Sequence, residues 1–231
     1  MPRRPRVMLP NVPVHLIQRG NNRDACFFTD DDYRFYLDWL HEYAESEGCY
    51  IHAYVLMTNH VHLLLTGQDT NSVGQLMKRL GQRYVQYINR TYQRSGTLWE
   101  GRYRSCLAQE EHYVLGCYRY IELNPIRAGM VEHPADYRWS SYRINGQDES
   151  SRLVTPHELY QQLGETVETR TAAYRELFRY QLDPGLIDEI RKATNGNYVL
   201  GTERFEAQVA EMLGRRVTRG SPGRPRNEAN D

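Results

Sequence analysis

The sequence predicts a compact α+β fold of alternating strands and helices. Three observations carry this. Short β-branched and aromatic runs alternate with longer segments of three- and four-residue apolar spacing. Turn residues separate them. No apolar run approaches the roughly 18 residues a membrane span needs.

The elements follow in order. Val12–Gln18 alternates as a strand and runs into the turn Arg19-Gly20-Asn21-Asn22. Thr29 followed by Asp30, Asp31 and Asp32 marks a helix start, where acids favour the positive end of the dipole. Tyr33, Tyr36, Leu37, Leu40 and Ala44 form its apolar stripe, and Gly48 ends it. Residues 49–57 and 60–66 read as two strands of a hairpin about Thr58-Asn59. Ser72 caps a second helix with Val73, Leu76, Met77, Leu80, Tyr84 and Ile88 on one face. A short strand lies near Tyr103–Ala108. A third helix starts near Glu110 and is expected to end near Asn124, because Pro125 disfavours helical geometry in the residue before it.

This pattern predicts a domain over residues 1–145 and a small helical appendage over 146–213, with helices near 156–164, 167–181, 185–194 and 203–213. A basic, disordered tail over 214–231 completes the chain. In the tail, Pro222-Gly223-Arg224-Pro225-Arg226 resembles the Gly-Arg-Pro cores that enter narrow A·T minor grooves, although a plain basic tail is the preferred reading.

The formal net charge is zero, but the charge is segregated. Residues 71–110 hold Lys78, Arg79, Arg83, Arg90, Arg94, Arg102 and Arg104 against two acids, while 30–47 hold seven acids against Arg34. Such a chain can present a basic face to phosphates. Cys26, Cys49, Cys106 and Cys117 form no metal-binding spacing and are expected as buried, reduced thiols. The basic, proline-spaced N-terminus lacks an apolar core, so no secretory signal is expected and the cytoplasm is the expected location.

The chemically informative stretch is His60-Val61-His62. On a strand, residues two apart share a face, so both imidazoles can bind one divalent metal while Val61 faces the core. Tyr120 and Asn124, four apart, share a face of the third helix, and an amide oxygen can complete a three-ligand set. Open metal positions suit a phosphate oxygen. Spacing alone favours Tyr120 over Tyr118 only weakly. Arg19, Asn21, Trp99, Arg102, Tyr103 and Arg104 are candidates for a single-strand groove with stacking platforms. Lys78, Arg79, Arg83 and Arg90 are candidates for holding a hairpin stem by its phosphates.

Several motifs stand in a telling order: Arg19-Gly20-Asn21, Met57-Thr58-Asn59-His60-Val61-His62, and Leu98-Trp99-Glu100-Gly101-Arg102-Tyr103. Tyr120-Ile121-Glu122-Leu123-Asn124-Pro125-Ile126-Arg127-Ala128-Gly129 and Trp139-Ser140-Ser141-Tyr142 follow. Together they resemble the REP-associated tyrosine transposases, a branch of the HUH single-tyrosine transposases. The resemblance implies a ferredoxin-like antiparallel sheet with packed helices, His60, His62 and Asn124 as metal ligands, and Tyr120 as nucleophile. It implies Mg²⁺ or Mn²⁺, although imidazole ligands alone would suggest Mn, Zn or Ni. The reaction it implies is cleavage and rejoining of single-stranded DNA at hairpin-forming palindromic repeats through a 5′-phosphotyrosyl link. A nucleoid-associated, cytoplasmic monomer is expected, with a dimer as the alternative. Two further readings stay open: a non-catalytic hairpin-binding regulator, and a metal-dependent nuclease that uses water.

Overall fold

A computed structural model describes residues 5–218. The stretch at 222–226 that resembles a Gly-Arg-Pro core lies outside the described residues, as does most of the expected tail.

Four strands build the central sheet: β1 (Pro13–Arg19), β2 (Cys49–Met57), β3 (His60–Gly67) and β4 (Arg104–Ala108). A two-residue β5 (Val199–Leu200) pairs parallel to β4, and the strand order is β2-β3-β1-β4-β5. The other pairings are antiparallel. Helix α1 (Asp30–Ser46) connects β1 to β2, and α2 (Ser72–Thr91) connects β3 to β4. This βαββαβ order is the ferredoxin-like arrangement that the family resemblance implied.

Local chemistry fixes the element ends. Thr29 and Asp32 form a capping box at the start of α1. Asp32 also accepts hydrogen bonds from the Tyr87 and Tyr92 hydroxyls, which ties the start of α1 to the end of α2. Gly48 ends α1 at φ +62°, a conformation where any Cβ is strained.

The pleat divides the sheet into two faces. Leu16, Tyr54, Leu56, Val61, Leu63 and Leu65 face α1 and α2. Each fully buried leucine contributes roughly 1.5–3 kcal/mol. Ala53, Val55, Leu64 and Cys106 face the other way, towards α3 (Glu110–Glu122). A helical turn, α4 (Asn124–Arg127), and then α5 (Tyr142–Gln147) follow in the chain.

The C-terminal helices α6 (Glu158–Gln161), α7 (Val167–Glu176) and α8 (Pro184–Gly196) add to this second layer through Tyr160, Tyr174, Ile190 and Ala193. A last helix, α9 (Glu203–Leu213), brings Val209 against Val14, Leu107 and Val199. Residues 139–141 and 154–155 bond along the outer edge of β2, so that edge is covered. The four cysteines are free and buried, as expected. Among the described residues no helix is long and apolar enough to cross a membrane.

Two features differ from the sequence expectation. Helix α3 ends at Glu122, close to the expected Asn124, but the chain stays in helical geometry there: Leu123 has φ −84° and ψ 0°, and the separate turn α4 follows directly. Pro125 is tolerated because it sits in the first turn, where its missing N–H has no intrahelical partner. The strand β5 lies within the region read as purely helical, and two residues are too few to carry a period.

Candidate active site

The site is built on the second face of the sheet, where β1 and β3 lie side by side. His60 and His62 point to this face, and their ring centroids are 5.2 Å apart. Val61 is fully buried on the opposite face, as alternation requires. Arg19 is the cross-strand partner of His60, and Ile17 of His62. His15, two residues from Ile17, is therefore the diagonal neighbour of His62. Its Nε2 lies 2.9 Å from His62 Nδ1, and the two ring planes are within 5°.

Helix α3 places its tyrosines in two environments. Tyr120 meets this histidine pair edge-on, 5.6 Å from His62 and 5.5 Å from His15 between ring centroids. Tyr118, roughly 200° away around the helix at two residues' remove, stacks on Tyr160 and accepts a hydrogen bond from the His157 N–H at 3.3 Å. Packing therefore distinguishes two residues that spacing barely separated.

Asn124, at the start of α4, lies beside the His60 ring. Its Nδ2 is buried without a partner. His60 Nδ1 lies 2.7 Å from Asn59 Oδ1, while Asn59 Nδ2 donates to the Arg23 carbonyl and so fixes the amide orientation. That contact orients the ring with Nδ1–H donating and Nε2 available.

The electrostatics suit neutral imidazole ligands. Burial, then the nearby Arg19 charge, lowers His60 to about 4. Burial lowers His62 well below its ordinary value, with further contributions from His15, His60 and Arg127. Burial and Arg127 lower His15 to about 3. Metal binding requires unprotonated imidazole, so these shifts favour it. Among the described residues no group of three or more His, Cys, Asp or Glu side chains is arranged to hold a metal. The Asn124 amide, expected from the sequence as a third ligand, is the further polar side chain beside His60, and its Nδ2 is unpartnered. Two imidazoles and one amide fit an open catalytic position better than a closed structural zinc site.

Sequence reasoning did not single out Arg127. Its guanidinium carbon lies 4.4 Å from the Tyr120 ring centroid, and Nη2 donates to the Tyr120 carbonyl at 2.6 Å. Nη1 is buried without a partner, and burial lowers this arginine to about 10. The available signal was a lone arginine one helical turn past Asn124. His15 and Thr194 were also missed, because only the fold joins them to His62.

The expected DNA-contact residues divide into two groups. Arg19, Arg102 and Arg104 line one cavity beside Glu100 and Asn195, near the histidines. Arg104 donates to Asn195 Oδ1 at 2.9 Å. The Asn21 N–H donates to the Leu98 carbonyl, and Gly20 pairs with Trp99, which joins the two loops beside this cavity. Trp99 is only 5% exposed, packs on Tyr84, and leaves its buried Nε1 without a partner.

Arg79 and Arg83 stand apart, on the layer beyond the opposite face. Arg79 pairs with Glu47 and lies over Tyr43; Arg83 pairs with Glu42 at 2.7 Å and lies over Trp39. Part of the charge segregation seen in the sequence is thus neutralised between α1 and α2.

Residues 9–124 match the family described as transposase, IS200-like. The chain belongs to the IS200-like transposase family. The matched span runs through Asn124, so it contains both histidines and Tyr120. A solved structure of a REP-associated tyrosine transposase bound to a REP hairpin is similar, with a TM-score of 0.55 and 14% identity over 68% of this chain and 93% of that one. A candidate transposase of Deinococcus radiodurans R1 matches with a TM-score of 0.38 and 24% identity, over 52% of this chain and 96% of that one. Comparison with curated protein sequences found no match. The ferredoxin-like fold is thereby shared with a transposase of known structure, and the family places the chain among DNA-processing transposases.

Proposed function

We propose that this family member cleaves and rejoins single-stranded DNA at hairpin-forming palindromic repeats, as a REP-associated tyrosine transposase, with Tyr120 as the nucleophile. The observation that carries this reading is the edge-on contact of Tyr120 with His62 and His15, while Tyr118 is turned into the helical layer. The similar hairpin-bound transposase supports hairpin DNA as the partner. DNA in the cytoplasm, at the nucleoid, is the corresponding place of action.

Tyrosine has an ordinary pKa of about 10 and is a weak nucleophile at neutral pH, so the site must favour attack by positioning and charge. His60, His62 and Asn124 would hold a divalent cation, Mg²⁺ or Mn²⁺, which supplies Lewis-acid stabilisation of charge on the scissile phosphate. Tyr120 Oη forms a bond to phosphorus, and the bond from phosphorus to the 3′ oxygen breaks. The phenolic proton is released and the 3′ oxygen leaves as a hydroxyl after taking one up. Arg127 holds Tyr120 through its carbonyl and ring, and its unpartnered Nη1 can donate to a phosphate oxygen. Arg19, Arg102 and Arg104 provide positive charge for the strand beside the site. One phosphodiester is exchanged for a tyrosyl ester and back, so no nucleotide hydrolysis is needed.

The test is a denaturing gel of the protein with labelled hairpin oligonucleotides from its own genome's repeats, with Mn²⁺, Mg²⁺ or chelator. A covalent band that needs metal, persists in Tyr118→Phe and vanishes in Tyr120→Phe is expected. Cut DNA without a covalent band would replace tyrosine by water as nucleophile. Bound but uncut DNA under all conditions would favour a regulator.

A further inference from the structure

His62 is connected to the C-terminal helices by a buried line of hydrogen-bonding groups drawn from three distant segments. His62 Nδ1 lies 2.9 Å from His15 Nε2, and His15 Nδ1 lies 2.9 Å from the Thr194 hydroxyl on α8. The Thr194 hydroxyl lies 2.7 Å from the Ile190 carbonyl one turn back. All three side chains are nearly inaccessible, at 1% for His15 and 3% each for His62 and Thr194.

Counting protons gives this line a direction. A carbonyl only accepts, so the single Thr194 proton goes to Ile190. Thr194 then accepts from His15, whose proton sits on Nδ1. A neutral His15 accepts at Nε2, so His62 donates from its own Nδ1. That leaves the lone pair of His62 on Nε2, the nitrogen not engaged by His15. The Cys106 thiol, 3.2 Å from the Thr194 oxygen, can donate to its second lone pair. Every member is satisfied in this polarity. The opposite polarity moves the hydroxyl proton from the 2.7 Å carbonyl contact to the longer ring contact, and places N–H on His62 Nε2.

We propose that Thr194 and His15 are positioning residues for the metal site, setting the tautomer of His62 so that its Nε2 lone pair is available for coordination. This rests on the reading of His62 as a metal ligand. It gives the C-terminal region a part in assembling the centre. A partner that fixes the second nitrogen of a ligating imidazole orients the ring and sets which nitrogen binds.

The test uses the full chain. Long-range ¹H–¹⁵N spectra of the metal-free protein, labelled at histidine, report which nitrogen carries the proton. The expected result is Nδ1–H for both His15 and His62; Nε2–H on His62 would overturn the proposal. Calorimetric titration with Mn²⁺ is the second readout. Thr194→Val should weaken binding by about 10–100-fold and Thr194→Ser should keep wild-type affinity. Unchanged affinity and tautomer in a folded Thr194→Val protein would also overturn it. Should Thr194→Val fail to fold, the wild-type spectrum still decides. The expected tautomers in a wild-type protein that binds no Mn²⁺ would uphold the relay and remove the metal assignment instead.

Discussion

Tyr120 stands edge-on to His62, with ring centroids 5.6 Å apart and planes at 81°. Its hydroxyl makes no hydrogen bond to another described residue, whereas the Tyr118 hydroxyl accepts from the His157 backbone. Stability and activity should therefore separate between the two positions. Tyr120→Phe keeps the ring contacts and should change unfolding free energy by less than about 0.5 kcal/mol while abolishing covalent capture of DNA. Tyr118→Phe should cost about 1 kcal/mol and leave capture intact. Urea denaturation and the adduct gel, run on both variants, check this; equal loss of capture in both would reject the assignment.

Arg127 should show the converse of a structural arginine. Its burial disfavours its charge, and Nη1 has no partner in the fold. Arg127→Met removes one hydrogen bond to the Tyr120 carbonyl but also removes that desolvation. The two effects should leave stability within about 1 kcal/mol of wild type. Loss of a donor aimed at developing phosphate charge should slow cleavage by about 10²–10³-fold. Single-turnover kinetics and thermal denaturation test the pair of statements. A large stability loss with unimpaired cleavage would make Arg127 a structural residue.

The contrast between Arg127 and His60 shows what the sequence could reveal. The shared face of His60 and His62 could be read because strand alternation is local, and β3 kept that alternation. The βαββαβ order was likewise readable from period changes and turns. Arg127 was hidden because a proline suggested a helix end, while α4 continued the turning and brought the guanidinium back over Tyr120. His15 could not be linked to His62 without knowing that β1 lies beside β3, and Thr194 lies 179 residues from His15. Arg79 and Arg83 read as free basic charge only until α1 was packed against α2.

Glu122 should anchor the tyrosine helix. It is fully buried and accepts from Ser141 Oγ, Asn145 Nδ2 at 2.8 Å and Tyr174 OH at 2.6 Å. Burial raises this carboxyl to about 7 despite those donors. Glu122→Leu leaves the donors without their acceptor and should cost about 3–5 kcal/mol. Glu122→Gln retains one acceptor oxygen and should cost about 1–2 kcal/mol. Chemical denaturation ranks the two. Equal stability of the leucine and wild-type proteins would show that this network contributes no net stability.

Acid should destabilise the fold before its carboxylates alone would. An unfolded histidine takes up a proton near pH 6.5, but burial lowers His52 and His60 to about 4 and His15 to about 3 in the folded chain. Between pH 6.5 and about 4, the unfolded chain therefore binds more protons at these sites, and their contribution to stability is lost as pH falls. Glu122 acts in the opposite sense: its raised folded value, about 7, means that it binds its proton more tightly when folded and adds stability as pH falls from 7 towards 4.5. Two carboxyls with raised values, Glu122 and Glu206, oppose four histidines with lowered ones, His15, His52, His60 and His62, so net stability should fall. His52 isolates the effect outside the proposed centre, since its ring bonds Thr66 and the Thr155 carbonyl rather than the site. In His52→Gln the dependence of unfolding free energy on pH should be shallower by about 1 kcal/mol per pH unit, most of the value of one proton. Urea titrations of both proteins between pH 6.5 and 4.5 measure this slope, and parallel slopes would show that His52 titrates alike in the folded and unfolded chain.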